Sequence, residues 1–352
     1  MKKHAPRSIP TGILLCAAAA GLIFHPQEVS AATQNALTVC TDVLLPNLFP
    51  FFVLSSMAVR LGLAKPLGRL LSPIMGPVFH LPGQCSIAVI LGMIGGYPTG
   101  AKTAISLYHE GICTRQQTEN LLAFCNNCGP AFILGVVGNG LFGSLRHGFL
   151  LLTVHFSAAL LSGFLLNRKH ISAPHSFTKT QNIHPPVSAA FTASVTESMA
   201  SILNLSAFVI CFSAITALLQ STGIPDTAAR YLSSFLSEEY AESLLIGLLE
   251  MTCGIAGLHG GNEVEPLLLS AFLLGWGGLS VHCQVLSLLQ DTDLSPARYF
   301  KGKFLHAVLS VVLMWCLLSR FALPVFFCIG SLFLVWTRLE KKSSGKSAQS
   351  IV

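Results

Sequence analysis

Gly95-Gly96-Tyr97-Pro98-Thr99-Gly100-Ala101-Lys102 and, after a short amphipathic segment, Cys125-Asn126-Asn127-Cys128-Gly129-Pro130 decide how this chain is read. Both stretches are rich in glycine, proline and polar groups, and both interrupt sequence that is otherwise apolar. In lipid, a broken backbone with unpaired N–H and C=O groups is tolerated only where protein or a watery cavity satisfies it. Two breaks close together, with a lysine between them, point to a solute site at membrane depth, with the rest of the chain as its scaffold.

The 352 residues are 52% hydrophobic and 10% charged, with mean hydropathy +0.65. Soluble domains carry about 25% charged residues, so the deficit places the chain in a lipid bilayer. The net charge of +6 is spread over the ends and short loops, among them Lys2, Lys3, Arg168, Lys169, Arg338, Lys341 and Lys342. That pattern fits cytoplasmic flanks of membrane helices. It offers no concentrated basic face, which excludes a nucleic-acid partner. Eleven cysteines lie mostly inside apolar stretches without the spacing of a disulfide framework, and read as small core residues.

Basic residues Lys2, Lys3 and Arg7 precede an apolar run at 9–24, and Val29-Ser30-Ala31 resembles a cleavage site. An uncleaved first membrane helix is the preferred reading, followed by an external loop over 24–42, which lacks Lys and Arg. Spans follow at 43–59, 121–142 and 145–166, with an interfacial segment at 67–81. The run 85–108, cut at Gly95–Gly100, leaves halves too short for a core that takes about 20 helical residues to cross, so a re-entrant hairpin is expected. A polar stretch at 170–186 reads as a linker. Beyond it come apolar segments at 195–219, 244–258 (containing Glu250), 266–289 (broken at Gly275-Trp276-Gly277-Gly278), 304–318 and 321–336, then a basic tail.

The halves resemble one another: Leu45-Pro46-Asn47 to Phe51 matches Leu203-Asn204 to Phe208, and Gly95-Gly96 aligns with Gly277-Gly278. The charge pattern starts one copy outside and the other inside, the inverted repeat of many secondary transporters, whose broken helices meet near the midplane. The expectation is an all-α polytopic membrane protein of two such repeats. Its units are an N-terminal helix and external loop (1–41), a first repeat (42–167), a polar linker (168–190), a second repeat (191–338) and a basic tail (339–352).

Four motifs, the Gly-Tyr-Pro-Thr-Gly-Ala-Lys run ending at Lys102, Cys125 to Gly135, Glu250-Met251-Thr252-Cys253-Gly254, and Gly277 to Gln284, together resemble the YlbJ-type sporulation integral membrane proteins. These belong to the nucleoside-recognition, or Gate-domain, superfamily. The resemblance runs from about His25 to Phe304, with Cys128 departing from the small residue expected there. It implies two Gate-like repeats and a role in endospore formation: a permease moving dipicolinic acid, a small aromatic dicarboxylate, towards the forespore across the cell membrane or the mother-cell-derived outer forespore membrane. A permease for nucleosides or another small solute, and a non-transporting scaffold of spore-envelope assembly, stay open beside it.

On this reading Gly95, Gly96, Tyr97, Pro98, Thr99, Gly100, Asn126, Asn127, Gly129, Pro130, Thr252, Ser280 and Gln284 would line the substrate site, the asparagine amides serving either a ligand or the unwound backbone. Lys102 would either meet an anionic substrate such as dipicolinate or snorkel to the interface. Glu250 would pair with Lys102, titrate as a coupling group or hold a cation. No Ser/His/Asp constellation, H-E-x-x-H or phosphate loop is present, so no enzyme is expected. The lone Cys125/Cys128 pair lacks further ligands, so neither a metal nor another cofactor is expected. The partners implied are the dicarboxylate and the lipid bilayer, with a homo-oligomer or a partner membrane protein left open.

Overall fold

The computed structural model describes residues 8–62, 64–167, 185–234, 236–258 and 264–319. Most of the linker, the span expected at 321–336 and the basic tail lie outside them. Every regular element among the described residues is helical. The first half runs α1 (Ser8–Phe24), α2 (Pro26–Thr38), a π-helical turn Val39–Leu44, α3 (Leu45–Arg60), α4 (Ala64–Phe79), α5 (Ser86–Gly95), α6 (Thr99–His109), α7 (Arg115–Leu122), a π-helical segment Ala131–Leu141 and α8 (Leu145–Leu166). The second half runs α9 (Val187–Ser221), α10 (Ile224–Leu232), α11 (Glu238–Leu249), α12 (Met251–Ala256), α13 (Val264–Trp276), α14 (Gly278–Leu289) and α15 (Ala297–Leu318).

By length and apolar composition, α8, α9, α15 and the continuous stretch Val264–Leu289 qualify as membrane spans. Counting the bent pairs Pro26–Leu44 with Leu48–Ala58 (52°) and Gly68–Phe79 with Gly83–Gly95 (99°) raises the number to six. The chain is a multi-pass integral membrane protein, and its side chains are distributed accordingly. On α15, Tyr299, Lys303, His306 and Ser310 fall on one buried stripe, while Phe304, Val308, Val312 and Trp315 face outward. On α9, Ser194 and Ser198 are buried while Phe191, Met199 and Leu203 are exposed. Apolar faces turned out and polar faces turned in are what a hydrocarbon solvent selects. Asn204, matched with Asn47 in the sequence repeat, lies on the exposed face of α9.

Two expectations are corrected. The external loop expected over 24–42 is largely helical: Pro26 opens α2, Glu28 in its first turn suits the positive end of the helix dipole, and α2 packs along α9. Helix α9 itself spans 35 residues, beginning before the expected span at 195 and inside the expected linker. Its sequence holds no Gly or Pro to stop it, and at about 1.5 Å per residue it outruns the hydrocarbon core.

A hairpin stands where the re-entrant one is expected. Helices α5 and α6 pack against each other around a turn in which Gly96 takes φ 75°. The second-half counterpart does not fold back at the double glycine. Gly277 (φ 91°) and Gly278 (φ 77°) adopt left-handed backbone that only glycine accepts readily, yet α13 and α14 run on as one span. The fold-back comes earlier, at Glu250, where α12 returns along α11 with Gly254 against Gly247. The halves then share an element order: a helix (α3; α9), an amphipathic helix (α4; α10), a folded pair (α5/α6; α11/α12), an interrupted stretch (α7 to 131–141; α13 to α14) and a 22-residue span (α8; α15). This register aligns the Tyr97 turn with Glu250 rather than with Gly277-Gly278.

Candidate functional site

Each interruption has a local cause. At the first, Gly96 breaks α5 and Pro98, which lacks an N–H, precedes α6. Over 123–130 the chain is largely non-helical between α7 and the π-helical segment, and the capping box of Thr114 with Gln117 fixes where α7 starts. At the third, Glu250 has extended backbone (φ −135°, ψ 108°), ends α11 and caps α12 by accepting the Cys253 N–H at 2.7 Å.

The three breaks converge on a cavity of about 50 Å³. Gly96 and Tyr97 come from the first, Cys128 and Gly129 from the second, Glu250, Met251 and Thr252 from the third, and α14 adds Ser280 and Gln284. Seven of the residues singled out in the sequence (Gly96, Tyr97, Gly129, Glu250, Thr252, Ser280 and Gln284) therefore share one wall. Ser280 Oγ and Gln284 Oε1 are buried there without a hydrogen-bond partner. Such orphans are costly unless something is meant to meet them. A water needs about 10–15 Å³ of such space, whereas ligand pockets run to about 300–1,000 Å³. The cavity has room for only a few waters, so a larger solute requires it to widen.

The other expected site residues lie off this wall. Gly95 ends α5, and Pro98 and Thr99 open α6, where the Thr99 carbonyl accepts the Thr103 hydroxyl at 2.8 Å. Gly100 packs on the Cys125 carbonyl. Asn126 Oδ1 accepts the Ala101 N–H at 3.4 Å, and Asn127 Nδ2 donates to Phe124 O at 2.9 Å. Pro130 leads into the π-helical segment. These two asparagine bonds reach backbone atoms, so they support the unwound chain.

Lys102 does not pair with Glu250. Its Nζ lies 2.7 Å from Glu197 Oε1 and donates to Ser201 Oγ at 3.1 Å, both on α9. Arg60 reaches the other Glu197 oxygen at 2.9 Å, and Ser56 donates to it at 2.7 Å. This cluster ties α3 and α6 to α9, and about a third of each ionic side chain stays accessible. Pairs of that exposure contribute about 0.2–1 kcal/mol. Lys102→Ala is therefore expected to cost about 1 kcal/mol or less in a thermal unfolding assay and to leave solute affinity unchanged. A tenfold loss of affinity would return Lys102 to the site.

Sequence reasoning missed Lys303. Lys303 is 1% exposed, and its Nζ donates to the Tyr97 hydroxyl at 2.7 Å and to Asn126 O at 3.4 Å. The readable sign was the spacing Tyr299, Lys303, His306, Ser310, a polar stripe at helical period in an apolar helix. His282, also buried, meets the Tyr299 hydroxyl at 2.9 Å and packs edge-on to Trp276. Cys125 and Cys128 are free, buried thiols. Among the described residues no three His, Cys, Asp or Glu side chains group as a metal site requires.

Residues 42–145, which hold the first two breaks, match the family model described as Gate, nucleoside recognition. That stretch is similar to a Gate domain. Over 326 residues it is 29% identical to the sporulation integral membrane protein YlbJ of Bacillus subtilis (strain 168), covering 84% of this chain and 80% of that protein. Both findings bear out the resemblance drawn from the four motifs. They match this chain to an integral membrane protein of sporulation and to the nucleoside-recognition family model. No solved structure matches it.

Proposed function

We propose that this chain is a permease for a small polar solute, of the aromatic-dicarboxylate class to which dipicolinate belongs, acting in the outer forespore membrane. The observation that carries the permease reading is the convergence of three backbone breaks on one small cavity, with Ser280 Oγ and Gln284 Oε1 unpartnered. Interrupted helices meeting at one space are the usual construction of a secondary-transport site, because each break supplies a few polar groups without exposing them to lipid. The dicarboxylate reading rests on the likeness to YlbJ-type proteins.

A second reading has an observation of its own. Glu250, Ser280 and Gln284 offer hydrogen-bond acceptors to the cavity, which suits the O–H and N–H donors of a nucleoside. The Gate description points the same way. The inverted two-repeat arrangement belongs to the same proposal; the similar element order of the halves supports the repeat, and the charge pattern of the sequence suggests the inversion.

Uptake of labelled dipicolinate into vesicles carrying the protein tests these readings. Saturable uptake, reduced about tenfold by Gln284→Ala and not competed by nucleosides, is the expected result. Competition by nucleosides would move the substrate to that class. No uptake of either solute by folded wild-type protein would favour a scaffold of spore-envelope assembly instead.

A further inference from the structure

We propose that Lys303 and His155 form a carboxylate-binding subsite behind Tyr97, and that the Tyr97 hydroxyl holds the ligand's place in the closed state. Lys303 is a buried ammonium whose hydrogen bonds go to neutral oxygens, Tyr97 Oη and Asn126 O. Among the described residues no carboxylate lies within ion-pairing distance of it. The Tyr97 hydroxyl gives its own proton to Leu274 O at 2.9 Å, so a lone pair on Oη faces the ammonium. The ring lies against the same Nζ, 4.8 Å from its centroid, and also walls the cavity. Tyr97 thus separates the acceptor-lined cavity from the cation.

His155, on α8, supplies the second donor. Its Nε2 accepts the Cys128 N–H at 3.0 Å, so the proton of the neutral ring resides on Nδ1. Nδ1 is buried without a partner, in a side chain 1% exposed. His306 donates from Nε2 to the His155 carbonyl at 2.9 Å, with ring centroids 4.5 Å apart, which holds that part of α8 against α15. Lys303 and His155 therefore dock on Asn126 and Cys128 of one break, and each has a donor to offer and no anionic acceptor to meet it. Carboxylate oxygens are the acceptors this set lacks, and charge-assisted bonds to them are the strong kind.

The consequence is an exchange of partners. A carboxylate reaching Lys303 takes the place of Tyr97 Oη, and the freed tyrosine loses one of the two bonds that pin the α5/α6 tip to α13 and α15. This couples ligand binding to opening of the hairpin. The subsite deepens the permease reading and uses it only to explain why the latch should open, since the binding itself is measurable without transport.

The test is the dissociation constant of purified full-length protein in nanodiscs for pyridine-2,6-dicarboxylate, with the neutral pyridine-2,6-dicarboxamide as control. Lys303→Met is expected to weaken dicarboxylate binding about tenfold or more. Tyr97→Phe removes the competing oxygen and is expected to tighten it about threefold to tenfold, with the dicarboxamide unmoved in both. A purely structural role for the pair would shift thermal stability without changing the preference for carboxylate over carboxamide, and that result overturns the proposal. Should Lys303→Met fail to fold, Tyr97→Phe decides alone: unchanged or weakened dicarboxylate binding rejects the subsite, as does absence of binding to wild type. Binding tightened by Tyr97→Phe in a protein that transports nothing would reject the permease and keep the subsite.

Discussion

Gly92→Ala and Gly100→Ala will each cost the protein the packing of its first hairpin, while Gly76→Ala, a helical glycine with open space around it, will cost almost nothing. The Cys125 carbonyl of the second break projects into the groove between α5 and α6. A Cβ on either Gly92 or Gly100 would collide with Cys125 O, and the Gly92 Cβ would also stand 2.9 Å from the Gly100 Cα. All of these neighbours are backbone, so no side chain can rotate aside to make room. Overpacking a core costs about 1–3 kcal/mol where side chains can yield, so about 3 kcal/mol or more is expected at this groove. Against a total stability of about 5–15 kcal/mol, that is enough to lower the unfolding temperature markedly and to reduce recovery of monodisperse protein. The assay is thermal unfolding of the three variants in the same detergent. A Gly100→Ala protein as stable as Gly76→Ala would mean that the hairpin does not straddle the second break.

These contacts also separate what the sequence could announce from what it could not. The class of fold was legible because a bilayer imposes composition: few charges, long apolar runs, and interruptions only where glycine, proline and polar residues cluster. That logic located the turn at Gly96 and the break at Cys125–Pro130. It failed at Glu250, because neither Leu249 nor Met251 marks a turn. The chain reverses there because the carboxylate caps the Cys253 amide, and a charged residue in an apolar run reads as a site before it reads as a cap. The double glycine at 277–278 carried the opposite error, since left-handed backbone alone does not fold a span back. Lys102 drew attention through its motif, but its partner Glu197 sits on a helix of the other half, a pairing that only tertiary packing reveals. Lys303 was hidden by its neighbours: two residues are more than half a helical turn, so Lys301 is exposed while Lys303 is buried.

Glu250→Gln is expected to leave the fold intact and to remove the response of uptake to an imposed proton gradient. The fold should survive because the amide oxygen of glutamine can accept the Cys253 N–H that Glu250 Oε2 now accepts at 2.7 Å. Glu250→Ala removes that acceptor and should cost about 0.5–2 kcal/mol, the ordinary range for a lost N-cap. The two substitutions thus split the residue's two roles. As a cap, Glu250 fixes where α12 turns back. As a buried carboxylate on the cavity wall beside Thr252, Ser280 and Gln284, it is the acidic side chain among those lining the cavity, and hence the one there suited to take up and release a proton during a transport cycle. Glutamine keeps the shape and the hydrogen bond and cannot ionise. If the carboxylate couples transport to protons, wild-type vesicles will accumulate solute when a gradient is applied, whereas Glu250→Gln vesicles will exchange solute without accumulating it. Accumulation at the wild-type level by the glutamine variant would confine Glu250 to the cap, and equal destabilisation by glutamine and alanine would show that the cap itself requires the charge.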